Sequence, residues 1–266
     1  MSHKDELEAT AEIAREAGRL ILTYVEGDRM QARVKGERDV VTAADTASEA
    51  LISDRIREAF PGDGVVAEEG TTEPASTGRI WYIDPLDGTL NFAHRLPIWC
   101  VCLSLFEGDF PVLGVIHDPI LNETFTATTG QGAFLNGHSI ETSGVSRLDD
   151  AFVHLTIDFN PESLQFGLQD VHTLAPRVLR TRNIGSAALA LAYVACGRFD
   201  AMVHRLAHTW DYGAGVRLVE EAGGVVTQVN GAPYTAETTE VVAAATDALR
   251  EQICSLIQDS QATELE

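Results

Sequence analysis

The stretch that decides the fold is Trp81-Tyr82-Ile83-Asp84-Pro85-Leu86-Asp87-Gly88-Thr89-Leu90-Asn91-Phe92. The apolar run from Ile80 to Ile83 is typical of a buried strand, which an acid ends and a proline turns. Because Pro85 sets one backbone angle of that turn, the Asp84 and Asp87 carboxylates can point the same way. The intervening backbone carbonyl of Leu86 is a possible third oxygen. The pattern predicts an oxygen-rich metal site at the end of a strand.

The second part of the same stretch predicts an anion site. Gly88 lets the backbone approach a ligand closely, since it has no side chain. The amides of Gly88, Thr89 and Leu90 can open a short helix whose N-terminus accepts an anion. Metal ions beside a phosphate indicate phosphoryl chemistry.

The composition predicts a folded globular protein, since 266 residues with 45% apolar content can bury a sizeable core. A formal net charge of −21, from 19 Lys plus Arg against 40 Asp plus Glu, argues against nucleic acid as a partner. The sequence contains no signal-like segment and no apolar run of about 18 residues, so we expect a cytoplasmic protein with no membrane partner. It also lacks a dense basic cluster, so metals would have to neutralise a bound phosphate.

A second predicted strand, from Val65 to Ala67, also ends in acids, at Glu68-Glu69-Gly70. An acid pair before a loop usually belongs to a solvated turn. A neighbouring strand that ends in Asp84 favours instead a functional role for Glu68.

Two more acids lie at predicted helix starts. Asp45 falls in the first turn of a helix that ends before Pro61, where its ordinary role is to interact with the helix dipole. Asp211 precedes an apolar helix, and its ordinary role there is an N-cap, although a capping acid can still face a metal. Together with the acids described above, these residues form an all-oxygen donor set, which suits Mg²⁺ or Mn²⁺ rather than zinc. Its members are Glu68, Asp84, Asp87, Asp211 and the Leu86 carbonyl.

The rest of the chain alternates helices and strands. We predict a first helix over 5–26, a mobile loop or lid over 70–79, and an antiparallel meander over 99–128. Asn136-Gly137 indicates a hairpin, so the glycines around it are assigned no dinucleotide cofactor.

Residues 141–150 are polar and form the best boundary, so we predict a single domain, 1–266, with halves at 1–145 and 146–266. In the second half we predict strands at 152–157, near 178, at 199–203, near 225 and at 241–244, and helices at 161–175, 186–196, 210–222 and 247–257.

Three motifs in combination resemble the inositol monophosphatase family. They are Glu68-Glu69-Gly70, the stretch quoted above, and Trp210-Asp211-Tyr212-Gly213-Ala214-Gly215 followed by Glu221-Ala222-Gly223-Gly224. The likeness runs from the first helix to at least Ala244. It implies an α/β (α+β) fold, an αβαβα layered sandwich, and a Mg²⁺-dependent, often lithium-sensitive phosphomonoesterase. Relatives commonly dimerise, so the resemblance also implies a homodimer.

The resemblance implies a role for each ligand. Glu68, Asp84 and the Leu86 carbonyl would hold the first metal, and Asp84, Asp87 and Asp211 would hold the second. Two or three Mg²⁺ ions are expected, with Mn²⁺ as a substitute.

It also implies the residues that handle phosphate and water. Gly88 and Thr89 would bind the phosphate through backbone amides, with Asp87 beside them. Thr89, with Glu68 and Asp45, would position and deprotonate the attacking water.

The resemblance is less specific about the substrate. The turn Gly185-Ser186-Ala187-Ala188 looks like the family's substrate-side turn, with the backbone near Ala187 against the substrate and Arg182 just before it. Inositol-cleaving members typically carry a glutamate seven residues before Asp211, whereas this chain has His204, followed by Arg205. That exchange changes which hydroxyls or second phosphates are tolerated, unless His204 is a surface substitution.

Several functions stay open on the sequence. The first expectation is hydrolysis of myo-inositol 1-phosphate, a small phosphorylated metabolite. Histidinol phosphate, fructose 1,6-bisphosphate or another sugar phosphate are the alternatives, and a 3′-phosphoadenosine substrate is less expected for a chain of this length. From a different class of function, the chain could be a regulatory module that binds a protein partner.

Overall fold

The computed structural model describes residues 3–26, 32–36, 39–157, 161–206 and 208–264. Within these ranges the helices are α1 (His3–Glu26), α2 (Ala43–Ala59), α3 (Thr89–Ala93), α4 (Pro161–Leu174), α5 (Ala187–Ala195), α6 (Thr209–Glu221) and α7 (Asp247–Glu264). The helices of these ranges are all too short or too polar to cross a membrane.

The strands of the same ranges are β1 (Ala32–Gly36), β2 (Asp39–Thr42), β3 (Gly64–Ala67), β4 (Thr72–Glu73), β5 (Arg79–Asp87), β6 (Cys100–Glu107), β7 (Phe110–Asp118), β8 (Glu123–Thr128), β9 (Ala133–Leu135), β10 (His138–Ile140), β11 (Phe152–Leu155), β12 (Arg180–Arg182), β13 (Ala201–Arg205), β14 (Val225–Thr227) and β15 (Glu240–Ala244). A 3₁₀ helix, Leu148–Asp150, precedes β11.

Two large sheets organise the chain. The first has eight strands in the order β10-β9-β8-β7-β6-β5-β3-β4, and only its β3/β5 pair is parallel among the described strands. The second has five strands in the order β12-β11-β13-β15-β14, of which β12, β11 and β13 are parallel. Strands β1 and β2 form a separate antiparallel pair.

Helices cover both faces of these sheets, since each apolar sheet face must be buried. One core joins α1 and α2 to the eight-stranded sheet, and it includes Ala14, Ile52, Trp81 and Leu103. A second core fills the space between the two sheets around α5 and α6. A third joins the five-stranded sheet to α4 and α7. The layers therefore run α1/α2, sheet, α5/α6, sheet, α4/α7, which confirms the implied αβαβα sandwich.

Most predicted elements are confirmed, including the first helix, the meander and the hairpin at residues 136–137. The strand expected near 178 lies at Arg180–Arg182, and the strand expected at 199–203 lies at Ala201–Arg205. The division into two halves stays a prediction; the two large sheets use residues on either side of 141–150.

The predicted lid over 70–79 is more ordered than expected. Thr72–Glu73 forms β4, which pairs with β3 at the sheet edge. The Ser76 amide then donates to the Gly62 carbonyl at 2.8 Å, and the Thr77 hydroxyl donates to the Asp63 carboxylate at 2.7 Å. The rest of the segment up to residue 78 is a loop, as its polar, aperiodic sequence had indicated, but these hydrogen bonds tie it to the turn at Gly62 and Asp63.

Candidate active site

A β-bulge places the two acids of the central stretch on one side of their sheet. In the pairing of β5 with β6, Asp84 lies opposite Cys102 and Asp87 lies opposite Cys100, so three steps along β5 match two along β6. The additional residue is what defines a bulge. Because Cys100 and Cys102 share a face of β6, Asp84 and Asp87 share a face of β5. Both cysteines belong to the core around α5 and α6, so the two acids face that layer.

The first turn of α5 holds the Asp87 carboxylate. The Ser186 hydroxyl donates a short hydrogen bond to its Oδ2, the Ala188 amide donates to the same atom at 2.9 Å, and the Ala187 amide donates to Oδ1 at 3.2 Å. Burial raises the pKa of Asp87, and these donors oppose that rise because they stabilise the charged form. Ser186 also caps α5 by accepting from the Leu189 amide. This role of Ser186 was not predicted, although a serine before an alanine-rich helix is a signal for it.

Gly88 and Thr89 form the turn into α3. Gly88 has φ 92° and ψ 33°, a left-handed conformation that favours glycine, and a Cβ there would lie 2.8 Å from the Ile98 carbonyl oxygen. The Thr89 Oγ1 lies 2.8 Å from Asp45 Oδ1 and 3.0 Å from the Leu86 carbonyl oxygen. One hydroxyl therefore connects α2 to the predicted third metal ligand.

Asp45 is buried in the first turn of α2. Its Oδ2 accepts from the Thr42 amide at 2.8 Å and from the Thr42 hydroxyl at 2.5 Å, which completes a capping box. Burial raises the pKa of Asp45, although hydrogen bonds from Thr42 and Thr89 lower it. The carboxylate is thus both a helix cap and the partner of the Thr89 hydroxyl.

The four predicted acidic ligands lie close enough to influence one another. Burial first, and then the charges of Glu68, Asp87 and Asp211, hold the pKa of Asp84 well above its usual range. Leu86 is fully buried, and its amide donates to Asp84 Oδ1 at 3.0 Å. Negative charge is therefore concentrated in a region that water reaches poorly.

Asp211 is not the N-cap of α6, so that expectation is wrong. The cap is His208, and Asp211 lies three residues further on, where its Oδ2 accepts from the His208 amide at 2.7 Å. The helix begins at Thr209 because Asp211 can reach back to this amide, as N3 acids do. Its carboxylate still lies near Asp84.

The donor set fits a hard divalent cation by its chemistry. Carboxylates and one backbone carbonyl are the ligands that Mg²⁺ and Mn²⁺ prefer. Among the described residues, no three His, Cys, Asp or Glu side chains are gathered in a ready metal-binding arrangement. Charges that repel one another, as those around Asp84 do, would need a cation to draw them together.

The two residues of β13 that were considered for substrate contacts face opposite layers. His204 is 6% exposed and meets the Tyr212 ring edge-on at 6.1 Å, so the alternative of a surface substitution is wrong. Arg205 points to the other side, where it pairs with Asp170 at 3.3 Å and lies 4.9 Å from the Phe166 ring centroid. Strand alternation separates the neighbours. Only His204 faces the layer that contains Asp211.

Arg182 is exposed on β12. Its guanidinium lies 5.4 Å from the Phe152 ring centroid and donates to the Thr181 carbonyl at 2.8 Å. The Arg182 side chain therefore packs against β12 and β11.

Asn91 joins the central stretch to the substrate-side turn, a role that the sequence analysis missed. Its Nδ2 donates to the carbonyls of Ile98 and Ile184, both at 2.8 Å, and lies 3.2 Å from the Gly185 carbonyl oxygen. The contact between Asn91 and Ile184 joins residues that are 93 positions apart. No local pattern reveals such a contact, because it depends on how the two sheets pack.

A sequence model of the inositol monophosphatase family matches residues 3–262. The chain is 40% identical over 233 residues to the Nus factor SuhB of Escherichia coli K12, which covers 86% of this chain and 87% of the relative. It is 37% identical over 227 residues to a fructose-1,6-bisphosphatase/inositol-1-monophosphatase of Thermotoga maritima, with 85% and 86% covered.

The fold is also similar to those of solved structures. The crystal structure of extragenic suppressor protein suhB from Bartonella henselae has a TM-score of 0.90 and 32% sequence identity, and the match covers 95% of this chain and 98% of that one.

Proposed function

The chain belongs to the inositol monophosphatase family of metal-dependent phosphatases, and we propose that it hydrolyses a small polyol or sugar phosphate in the cytoplasm with Mg²⁺, most readily myo-inositol 1-phosphate. The observation that carries the proposal is the bulge in β5, because it puts Asp84 and Asp87 on one face beside the turn at Gly88. Carboxylates and an open helix N-terminus side by side suit a phosphate ester.

Five oxygen donors would hold the metal ions: Glu68, Asp84 and the Leu86 carbonyl the first, and Asp84, Asp87 and Asp211 the second. When bound, divalent cations would neutralise the phosphate charge and lower the pKa of the attacking water. Neutralisation of the phosphate charge is important because a chain of net charge −21 otherwise repels an anionic substrate.

The chain's own groups would orient the reactants. The amides of Gly88 and Thr89 would bind phosphate oxygens at the start of α3. The Thr89 Oγ1 would take up the proton of the attacking water as it passes its own proton to Asp45 Oδ1, 2.8 Å away. The raised pKa of Asp45 makes that carboxylate a better proton acceptor than an exposed aspartate. Glu68 would help to position the water.

Substrate choice would depend on the groups that surround the phosphate site. His204 faces the interior layer, the backbone at Ala187 borders Asp87, and Arg182 lies at the sheet edge. A neutral or positive side chain at 204 accepts hydroxyls differently from a glutamate, so this position leaves the rival sugar phosphates open.

A panel of esters tests the proposal. Phosphate release would be measured with Mg²⁺ from myo-inositol 1-phosphate, fructose 1,6-bisphosphate and histidinol phosphate. We expect the highest kcat/KM with the inositol ester. A kcat/KM tenfold higher for either rival would contradict that choice, and no release from any ester would contradict the phosphatase proposal itself.

A regulatory protein-binding role is the second candidate, and the 40% identity to a relative named a Nus factor favours it. The two candidates separate in a variant without catalysis, Asp87→Asn. If this variant fully replaces the parent in cells that lack the chromosomal copy, then protein binding rather than hydrolysis is the essential role.

We also propose a homodimer, which sedimentation velocity tests directly. A single species near twice the chain mass of 28.7 kDa supports the proposal, and a species at 28.7 kDa contradicts it.

A further inference from the structure

One face of α2 carries three polar residues that each contact a different segment of the site. Asp45, Ser48 and Glu49 are buried and stand at helical spacing i, i+3 and i+4. Asp45 contacts Thr89, and the Ser48 hydroxyl donates to the Pro85 carbonyl, inside the bulge, at 3.0 Å. The third residue, Glu49, contacts the loop after β3.

Glu49 binds that loop with both carboxylate oxygens. Its Oε2 accepts from the Glu69 amide at 2.7 Å, and its Oε1 accepts from the Thr71 amide at 3.0 Å and the Thr71 hydroxyl at 2.7 Å. The side chain is buried, with Glu49 only 5% exposed. Hydrogen bonds to a charged acceptor are roughly twice as strong as neutral ones.

The loop held by Glu49 is the one that carries Glu68. On one side of Glu68, the Ala67 amide donates to the Thr71 carbonyl at 2.9 Å. The Glu68 amide itself donates to the Ile83 carbonyl at 3.1 Å, and its neighbour Glu69 is bound to Glu49. The backbone of Glu68 is therefore fixed between β5 and α2.

We propose that Glu49 is a positioning residue that holds Glu68 near Asp84 and thereby sets the affinity of the site for its divalent cation. The inference rests on the metal site of the proposed function and not on its substrate. Binding of the cation needs Glu68 near Asp84, and the loop that carries Glu68 would be less ordered without its three hydrogen bonds to Glu49. By fixing the loop in advance, Glu49 removes the ordering cost that cation binding would otherwise carry.

The test is direct Mn²⁺ binding, measured by calorimetry without substrate, on the parent chain and on Glu49→Gln. Glutamine keeps the size of the side chain but turns an NH₂ group toward an amide donor of the loop. We expect the Kd for Mn²⁺ to rise by about 10-fold to 100-fold, as for other groups that orient metal ligands. At saturating Mg²⁺ we expect kcat within about threefold of the parent and KM for the ester unchanged, because the reacting groups are intact.

Glu221→Gln is the matched control. Glu221 also holds a loop with both oxygens, accepting from the Gly130 and Gly132 amides at 2.8 Å each, at the far end of α6 from Asp211. If loss of a loop clamp acted only through general stability, both variants would weaken Mn²⁺ binding alike. That result, or an unchanged Kd in Glu49→Gln, would overturn the proposal.

Thr71→Val approaches the same contact from the loop and is mild enough to keep the fold if Glu49→Gln does not. It removes one of the three hydrogen bonds to Glu49. We expect a Kd for Mn²⁺ about threefold above that of the parent and no further loss when both changes are combined, since the two residues share one interaction. Fully additive losses would contradict it. A parent chain that binds Mn²⁺ but hydrolyses no ester would contradict the proposed function but not this inference.

Discussion

Asp87 is held by several hydrogen bonds, since the Ser186 hydroxyl and two amides of α5 all donate to it. Asp87→Asn should lower kcat/KM at least about 100-fold at saturating Mg²⁺, because it removes a charge from the metal site and turns an NH₂ group toward these donors. The measurement is phosphate release from myo-inositol 1-phosphate.

Asp109→Asn serves as its control, because Asp109 lies exposed in the turn between β6 and β7. It should keep the parent kcat/KM. Near-normal turnover in Asp87→Asn would refute the assignment of two metals.

Gly88→Ala should lower both activity and stability. An alanine at φ 92° is strained by about 1–2 kcal/mol, and its Cβ would lie 2.8 Å from the Ile98 carbonyl oxygen. We expect a lower Tm and a loss of kcat/KM, measured on the same protein preparation.

Gly108→Ala separates strain from contact. Gly108 also has positive φ, 61°, but a Cβ there meets nothing within 4 Å. This variant should lose stability only through strain and keep its activity. Equal loss of activity in both variants would show that the close approach at Gly88 is unimportant.

Among the elements, α6 shows what a local pattern reveals and what it leaves out. Its apolar spacing predicted the helix and put Asp211 near its start. The helix packs closely on the first sheet between Gly114 of β7 and Ala214 of α6, where a Cβ on Gly114 would lie 2.5 Å from the Ala214 carbonyl oxygen. This contact joins residues 100 positions apart, so no sequence window contains it.

His117 reports how α1 packs on the first sheet. The imidazole is 3% exposed, its Nδ1 lies 3.1 Å from the Thr124 hydroxyl, and Gly18 of α1 lies against the ring. Burial, with a smaller contribution from the nearby charges of Arg15 and Arg19, lowers the pKa of His117 to about 4. Between about pH 6.5 and pH 4, His117 is therefore protonated in the unfolded chain and neutral in the folded chain.

The free energy of unfolding should fall as the pH drops from about 6.5 toward 4, by up to about 1.4 kcal/mol per pH unit from this group. Urea unfolding at pH 7, 6 and 5 would compare the parent with His117→Gln, which should lose less stability on acidification. His138→Gln, a change of an exposed histidine on β10, should behave like the parent. Parallel curves for the parent and His117→Gln would contradict the burial argument.

For the whole molecule, charge and metal binding are linked. The chain carries a net charge of −21, and among its four predicted acidic ligands burial and the neighbouring charges oppose the ionisation of Asp84. Mg²⁺ should raise the Tm, and EDTA should return it to the metal-free value. Ligand at 100 times its Kd stabilises a fold by about 2.7 kcal/mol. Differential scanning fluorimetry measures the shift.

Ionic strength must be matched with KCl, because salt alone screens the repulsion between surface charges. Asp87→Asn should show a smaller shift with Mg²⁺ than the parent. If KCl reproduces the whole effect of Mg²⁺ on the parent, the stabilisation is screening and not binding.

The sequence predicted most helices and strands and the acids, because helical spacing, strand runs and the stretch at 81–92 are local patterns, whereas the layer order was implied only by the resemblance to the family. It did not predict Ser186, Asn91 or Glu49 as site residues. Each acts through a partner at least 20 positions away, and each has an ordinary local role as a cap or a helix residue. The roles proposed for the acids themselves stay predictions until metal binding is measured.

The bulge in β5 has a consequence for how this strand can change through insertion and deletion. Removing one residue between Asp84 and Asp87 would match two steps of β5 to two steps of β6, so both carboxylates would keep their face but the bulge that contains Pro85 and Leu86 would be lost. Adding one residue would displace the turn at Gly88 instead. Substitutions at Pro85 or Leu86 can keep the geometry, whereas a change of length cannot. During evolution, this segment can therefore vary in sequence far more than in length.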